Sequence, residues 1–290
     1  MGEALGIYFL SVVIPVYHDW PRLQLCLNAL ELQSFPKKSF EVIVVNNNPS
    51  DRPPEGFWVP DNCIIVEEAK PGSYAARNKG AAQAIGEVLV FTDADCIPSV
   101  DWLKLVSQYY ERGSGILSGR VEMFSVLNKK KLSFPESYDY IYGINQDIYA
   151  ENDVGATANL AVDECSFKKL NGFDAKVYSG GDVDFCNRAS ECKINFFYSD
   201  KVYVSHPLRC SSHDLLSKAR RLLAGKLKRN FWGGLVVALS PPLVRLHILF
   251  FKKKAPLDVK FKAIFFLFFV KIVQVSEMVL LLAGKADERQ

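Results

Sequence analysis

The sequence predicts an α/β fold: a mostly parallel central sheet flanked by helices, followed by a helical C-terminal extension. Three observations carry this. Residues 8–100 alternate apolar strand-like runs with helix-period segments, the pattern of a parallel sheet. Each apolar run closes on a polar loop, which can place those loops on the sheet rim where ligands of open α/β sheets bind. After about residue 207 the chain turns basic and then strongly apolar.

Residues 11–17 (Ser-Val-Val-Ile-Pro-Val-Tyr) read as a buried first strand. A helix follows over about 20–33, with Asp19 as its cap and Pro21 in its first turn. Leu23, Leu27 and Leu30 fall on one face of that helix. Residues 41–45 form a second strand, closing on Asn46-Asn47-Asn48-Pro49-Ser50-Asp51. Residues 71–80 turn into a small-residue helix. The run 87–92 is a third buried strand; it ends on Asp93-Ala94-Asp95, and Pro98 stops it. A helix near 102–112 and a strand near 116–123 follow. Residues 125–154, rich in Tyr, Lys and Asp, have no clear period and suit a mobile or ligand-binding loop. Beyond them come a strand at 159–162, a short helix at 166–170 ended by Gly172, a helix at 182–192, and two short strands at 195–198 and 202–205.

Composition narrows the function. The chain has 290 residues, enough for one or two domains, and its 49% hydrophobic content argues against wholesale disorder. A net charge of only +3 argues against a dedicated nucleic-acid partner. Basic residues cluster at Lys129-Lys130-Lys131, over 218–229 and at Lys252-Lys253-Lys254. The last two clusters flank the apolar C-terminal region, which favours an anionic membrane surface. Seven cysteines without a C-x-x-C pair suit a reduced, cytosolic protein without a zinc site. No basic stretch precedes the first apolar run, so no secretory leader is expected.

Within the extension, 213–229 reads as a basic amphipathic helix, and 231–251 is apolar but broken by Pro241-Pro242. Residues 261–284 reach the roughly 20 apolar residues a membrane span needs. Lys271, Gln274 and Glu277 interrupt them at i, i+3 and i+6, a narrow polar stripe. An interfacial helix lying on the membrane is the favoured reading; packing on another part of the protein and a true span are the alternatives.

The chemistry centres on Asp93 and Asp95. Two carboxylates at a strand end are costly unless a cation meets them, and a divalent ion backed by a diphosphate is the natural partner. D-x-D alone is a weak signal. Its value comes from the ordered set around it: the 11–17 strand, Val44–Asp51 in place of a "VVDDGSTD"-like strand end, Ala76-Arg77-Asn78-Lys79-Gly80 as "ARNxG", then 155–162, Gly172-Phe173-Asp174 and 180–185. Over residues 10–207 this set resembles the family 2 glycosyltransferases, with the Rossmann-like GT-A fold.

The resemblance implies a metal-dependent inverting transfer of a sugar from a nucleotide-diphosphate donor, a UDP-sugar, to a hydroxyl acceptor. It implies a divalent cation, Mn or Mg, bound by Asp95 and His206, with Asp93 near the ribose or a metal-bound water. Arg77 would neutralise the diphosphate or orient Asp93. Pro15 and Tyr17 would flank the base. Asn47, within a run of three asparagines where the family often has an acid, would read the base edge. Gly181 stands where the family often has a Glu, which makes Asp182 the expected general base and Asp184 the fallback; helix capping is the bland alternative for both. The expected organisation is a catalytic domain over 1–207, with a nucleotide-sugar half at 8–100 and an acceptor half at 101–207, and a membrane-associated region over 208–290. The expected partners are the nucleotide-sugar donor, a glycan or lipid-linked acceptor, and the cytoplasmic face of a membrane, held peripherally or monotopically. Two other classes compete. A sugar nucleotidyltransferase would carry a Gly-rich basic loop after its first strand, and Val16-Tyr17-His18-Asp19 has none. A non-catalytic membrane adaptor would have no need of Asp93, Asp95, Arg77 and Asp182 together.

Overall fold

The computed structural model describes residues 9–127, 131–177, 179–229, 231–252 and 254–282. In chain order the elements are β1 (Leu10–Val16), α1 (Trp20–Glu31), β2 (Phe40–Asn46), β3 (Cys63–Glu67), α2 (Ser73–Gln83), β4 (Val88–Thr92), β5 (Ile97–Pro98), α3 (Trp102–Tyr110), β6 (Ile116–Phe124), α4 (Phe134–Tyr142), α5 (Gln146–Ala150), β7 (Asn159–Asp163), α6 (Glu164–Lys169), α7 (Gly181–Glu191), β8 (Phe196–Pro207), α8 (Ser212–Arg229), α9 (Phe231–Leu239), α10 (Leu243–His247) and α11 (Leu257–Leu282). A π-helical turn over Ile248–Lys252 follows α10. The chain divides into two compact units, Met1–Glu122 with Asn145–His206, and Met123–Ile144 with Pro207–Gln290.

The first unit is built on an eight-stranded sheet of order β3-β2-β1-β4-β7-β6-β8-β5. The β3-β2-β1-β4 half is parallel. The pairings β4–β7, β6–β7 and β5–β8 are antiparallel. The sheet is therefore mixed, because regular strand–helix alternation stops after α3 and β7 enters reversed beside β4. Two details differ from expectation. β3 is an additional strand, half-exposed at the sheet edge, whose short Cys-Ile-Ile-Val-Glu run gives little periodic signal. The two short strands expected at 195–205 are one continuous strand, β8.

The core is the apolar run of each strand packed against helices: Val13, Ile43, Val45, Leu89, Phe91, Leu160 and Val162, closed by Phe167, Phe173 and Phe185. Leu23, Leu27 and Leu30 of α1 are buried as their spacing requires. Asp19 does not cap α1; its carboxylate takes the Arg22 guanidinium at 3.1 Å instead. The "ARNxG" helix α2 shows what each residue of its motif does. A Cβ on Gly80 would stand 2.4 Å from Val13 Cγ1, so only glycine lets α2 lie this close to β1. Asn78 brackets Phe173, donating to its carbonyl (2.7 Å) and accepting from its N–H (2.9 Å).

In the second unit the residues without clear period yield α4, started by a capping box: Glu136 accepts the Ser133 N–H at 2.9 Å, and the Ser133 hydroxyl accepts from Glu136 N. α4 packs with α8 and α11 through Tyr138, Leu215, Ala219, Phe266, Leu267 and Val270. α11 buries Val259, Ala263, Phe266, Leu267, Val270, Gln274 and Met278 at helical spacing. Its polar stripe turns inward: Gln274 is buried, and Glu277 pairs with Arg220 of α8 at 3.4 Å. Phe261 (69% exposed), Phe265, Phe268, Ile272 and Val279 face outward. The helix is thus apolar on its outward face as well as on its buried one. By length and composition α11 is able to cross a membrane, with a mean hydropathy of 2.0 over Leu257–Leu280. Lys129, Lys130, Lys253 and Gly284 lie outside the described residues.

Candidate functional site

Because β1, β2 and β4 are parallel, the loops after them open on one rim. Asp93 and Asp95 follow β4 there, with Ala94 buried between them. β5 then pairs with β8 in the register Ile97↔Ser205. That register carries His206, only 2% exposed, up to the aspartates, and its Nε2 lies 3.6 Å from Asp95 Oδ1. Asp93, Asp95, Cys96 and His206 each offer a ligand atom, all within 4.8 Å of one another. Arg22, from the first turn of α1, stands 4.0 Å from Asp95 Oδ2.

Arg77 is buried and forms an ion pair with Asp93. Its guanidinium also lies 5.7 Å from the centre of the Tyr74 ring. The Tyr74 hydroxyl donates to Asp182 Oδ1 at 3.1 Å. A continuous chain of contacts thus runs Asp93–Arg77–Tyr74–Asp182. Burial, reinforced by the Asp182 charge, pushes the Tyr74 phenol well above its usual range, so it stays a donor at working pH. Gly181 is explained here. A Cβ at 181 would lie 2.7 Å from the Tyr74 ring, which leaves no room for the glutamate of the family pattern. Gly181→Ala is expected to displace the ring, cost about 1–3 kcal/mol and lower turnover; thermal melts and initial rates check both.

α7 starts from Gly180 (φ 77), which has no side chain to cap it, and Asp182 Oδ1 accepts the first-turn Val183 N–H at 3.0 Å, so Asp182 serves the start of the helix as well as facing Tyr74. Asp184 is exposed and faces Arg188 at 2.9 Å, an i,i+4 ion pair on the helix surface. The two carboxylates therefore stand in different surroundings.

At the nucleotide end, Tyr17 is 65% exposed at the mouth of the site, its ring edge-on to His18 with 4.3 Å between centroids. Pro15 is half-buried inside β1 opposite Val45. His18 Nδ1 lies 2.9 Å from Asp51 and its Nε2 lies 2.9 Å from Asn48 Nδ2, tying the first two rim loops together. Asn47 needs correction. Its amide donates to the carbonyls of Glu68 (2.9 Å) and Lys70 (2.8 Å) and accepts the Gly72 N–H (2.8 Å). Both amide hydrogens are spent on the loop leading into α2, so Asn47 shapes that loop and has no donor left for a base edge.

Sequence reasoning missed Tyr74, Cys96 and Arg22. Tyr74 sits inside a motif read for its arginine, Cys96 reads as a small hydrophobe, and Arg22 carries no spacing signal. All seven cysteines are free.

The donor set fits a hard or borderline divalent cation. Two carboxylates and an imidazole suit an ion of the Mg or Mn kind, and Asp93, Asp95 and His206 are side chains that could hold it. Bound there, such an ion supplies Lewis-acid stabilisation of a leaving diphosphate. The Cys96 thiol is fully buried, and its pKa is raised well above the usual range, by burial first and then by Asp93 and Asp95. Cys96→Ser is expected to leave Mn²⁺-dependent donor affinity within about twofold, measured by calorimetry.

A mixed sheet with this rim is the architecture of the GT-A class, and its carboxylates and imidazole could hold a divalent cation. The chain belongs to glycosyl transferase family 2, whose model matches residues 11–157. It is 34% identical over 227 residues to "Glycosyltransferase AglE" of Haloferax volcanii, covering 76% of this chain and 73% of that protein. A "Glucosyl-dolichyl phosphate glucuronosyltransferase" of the same organism is 23% identical over 201 residues, covering 67% and 64%. Among solved structures, the mannosyltransferase PcManGT from Pyrobaculum calidifontis, in complex with GDP-Man and Mn²⁺, matches at a TM-score of 0.60 with 16% identity, covering 97% of this chain and 89% of that one. The chain is a glycosyltransferase.

Proposed function

We propose that this glycosyltransferase works with inversion, using a divalent cation and a UDP-sugar, on the hydroxyl of a lipid-linked or membrane-proximal glycan at the cytoplasmic face of a membrane. The observation that carries the reaction is the contact chain from Asp93 through Arg77 and Tyr74 to Asp182. It ties a diphosphate-binding end to an acceptor-activating end. In the proposed step Asp182 takes the acceptor proton, the acceptor oxygen forms the new bond at the anomeric carbon, and the bond to the diphosphate breaks. One displacement without a covalent intermediate inverts the anomeric centre. Arg77 offsets charge on the diphosphate side, and Tyr17 offers an exposed ring to the base.

The outward apolar face of α11 and the basic residues before it support attachment in the interfacial region, peripherally or monotopically. The lipid-linked acceptor draws support from the name of the dolichyl-phosphate relative. The test is turnover of UDP- and GDP-sugar panels, with Mn²⁺ or EDTA, on a lipid-linked glycan acceptor, with the product's anomeric configuration read by proton NMR. An EDTA-sensitive, inverted product from a UDP-sugar is expected. Turnover of GDP-sugars alone replaces the uridine donor, and a retained configuration removes the single displacement.

A further inference from the structure

Cys96 stands at the aspartate rim, yet a hard cation has no use for its sulfur. Two local features put the thiol there. After β4 the chain makes a tight turn, closed by the Cys96 N–H donating to the Asp93 carbonyl at 3.1 Å. Residues 93, 95 and 96 therefore gather at one point instead of alternating along a strand. The antiparallel register Pro98↔Val204 and Ile97↔Ser205, carried one step further, sets Cys96 opposite His206. Residues directly opposite in such a pair present their side chains to the same face. Thiol and imidazole are both buried. A sulfur, a ring nitrogen and two carboxylate oxygens thus lie within 4.8 Å of one another. Around a tetrahedral ion with bonds of about 2.0–2.3 Å, the ligand atoms stand roughly 3.3–3.8 Å apart. Closing the cluster takes a movement of about 1 Å, within the reach of small side-chain rotations. The Asp93–Arg77 ion pair is no bar, because ligating carboxylates commonly keep a hydrogen-bond partner.

We infer that Asp93, Asp95, Cys96 and His206 form a four-coordinate site for a thiophilic divalent ion, Zn²⁺, and that this ion shuts off cation-dependent donor binding. The inhibitory half rests on the cation reading proposed above. Thiolate and imidazole ligands select Zn²⁺, whereas Mg²⁺ and Mn²⁺ prefer oxygen. A hard ion leaves the thiol protonated and keeps coordination positions for diphosphate oxygens. Zn²⁺ takes the sulfur as thiolate. The S–H bond breaks, a metal–sulfur bond forms and the proton passes to the buffer, with no change of oxidation state. The protein then fills all four positions, as in a structural zinc site, and none is left for the donor. Charge acts in the same direction. Three anionic ligands around a doubly charged cation leave the cluster net negative, which disfavours a diphosphate.

The probe is Cd²⁺, whose bond to a thiolate gives an ultraviolet charge-transfer band. It is titrated into the full-length chain carrying Cys165→Ser, Cys192→Ser and Cys210→Ser, which removes the exposed thiols. A saturable band is expected, and Zn²⁺ should erase it by displacement. Adding Cys96→Ser should abolish the band and lower Zn²⁺ affinity about a hundredfold or more, since loss of a mere outer-shell partner costs up to that much. Calorimetry should show Zn²⁺ blocking the Mn²⁺-dependent binding of UDP, and Cys96→Ser should relieve the block by a similar factor. Thermal melts confirm that each variant folds. Excess Mn²⁺ with UDP should also displace Cd²⁺ while Cys96 is intact, a readout that needs no substitution at the site. A missing band, or one that survives Cys96→Ser, overturns the thiolate site. Zn²⁺ that supports UDP binding as well as Mn²⁺ does overturns the closed coordination. A Cys96-dependent band in a protein that binds no UDP with Mn²⁺ keeps the thiolate site and overturns the donor site proposed above.

Discussion

Asp182→Asn lowers turnover by roughly a hundredfold or more while donor affinity stays near that of the wild type, because general-base catalysis contributes about that much and acts on the acceptor. Asparagine keeps the size of the side chain and still accepts the Tyr74 hydroxyl, so the Asp93–Arg77–Tyr74 contacts survive. Steady-state rates with the donor KM measured separately check the split. Asp184→Asn is expected to do much less, since that carboxylate faces Arg188 on the helix surface, where such ion pairs contribute little. A larger loss at Asp184 than at Asp182 would move the base one helical step and remove Tyr74 from the mechanism.

Asp95→Ala abolishes the divalent-dependent part of donor binding and leaves the fold standing. Asp95 stands between His206 (3.6 Å) and Arg22 (4.0 Å), so its removal takes a carboxylate out of the group of side chains that could hold the ion. The sheet does not depend on it. The neighbouring Asp93–Arg77 pair remains, and β4 ends at Thr92. Calorimetry with UDP, with and without Mn²⁺, reads the first effect, and thermal melts read the second. Retention of the Mn²⁺-dependent increment would assign the cation to other ligands.

Much of the first unit was legible because its residues record the local period. The buried runs of β1, β2 and β4 are dominated by apolar residues, and α1 repeats Leu23, Leu27 and Leu30 on one face. The D-x-D and "ARNxG" segments were legible as chemistry, since their charges stand directly after a strand or at the start of a helix. β3 escaped because an edge strand of five residues is half-exposed and needs little pattern. Residues 125–154 escaped because their tyrosines and charged residues follow no simple period; α4 is set by a capping box and by packing on α8 and α11.

By itself the sequence determined the order of β1, α1, β2, α2, β4, α3 and β6, the rim bearing Asp93 and Asp95, the candidate base at the start of α7 and the apolar character of the last helix. Tertiary structure alone decided the partners. It brought His206 and Cys96 to the aspartates through the antiparallel β5–β8 register. It spent the Asn47 amide on the loop before α2. It joined Tyr74 to Asp182 across 108 residues of chain and so excluded any side chain at Gly181. It also turned Gln274 and Glu277 inward and left Phe261, Phe265 and Phe268 of α11 outside. The reason is physical: a helix or strand is set by neighbours a few residues away, whereas a hydrogen bond or ion pair forms only with whatever group the folded chain brings within about 3–4 Å.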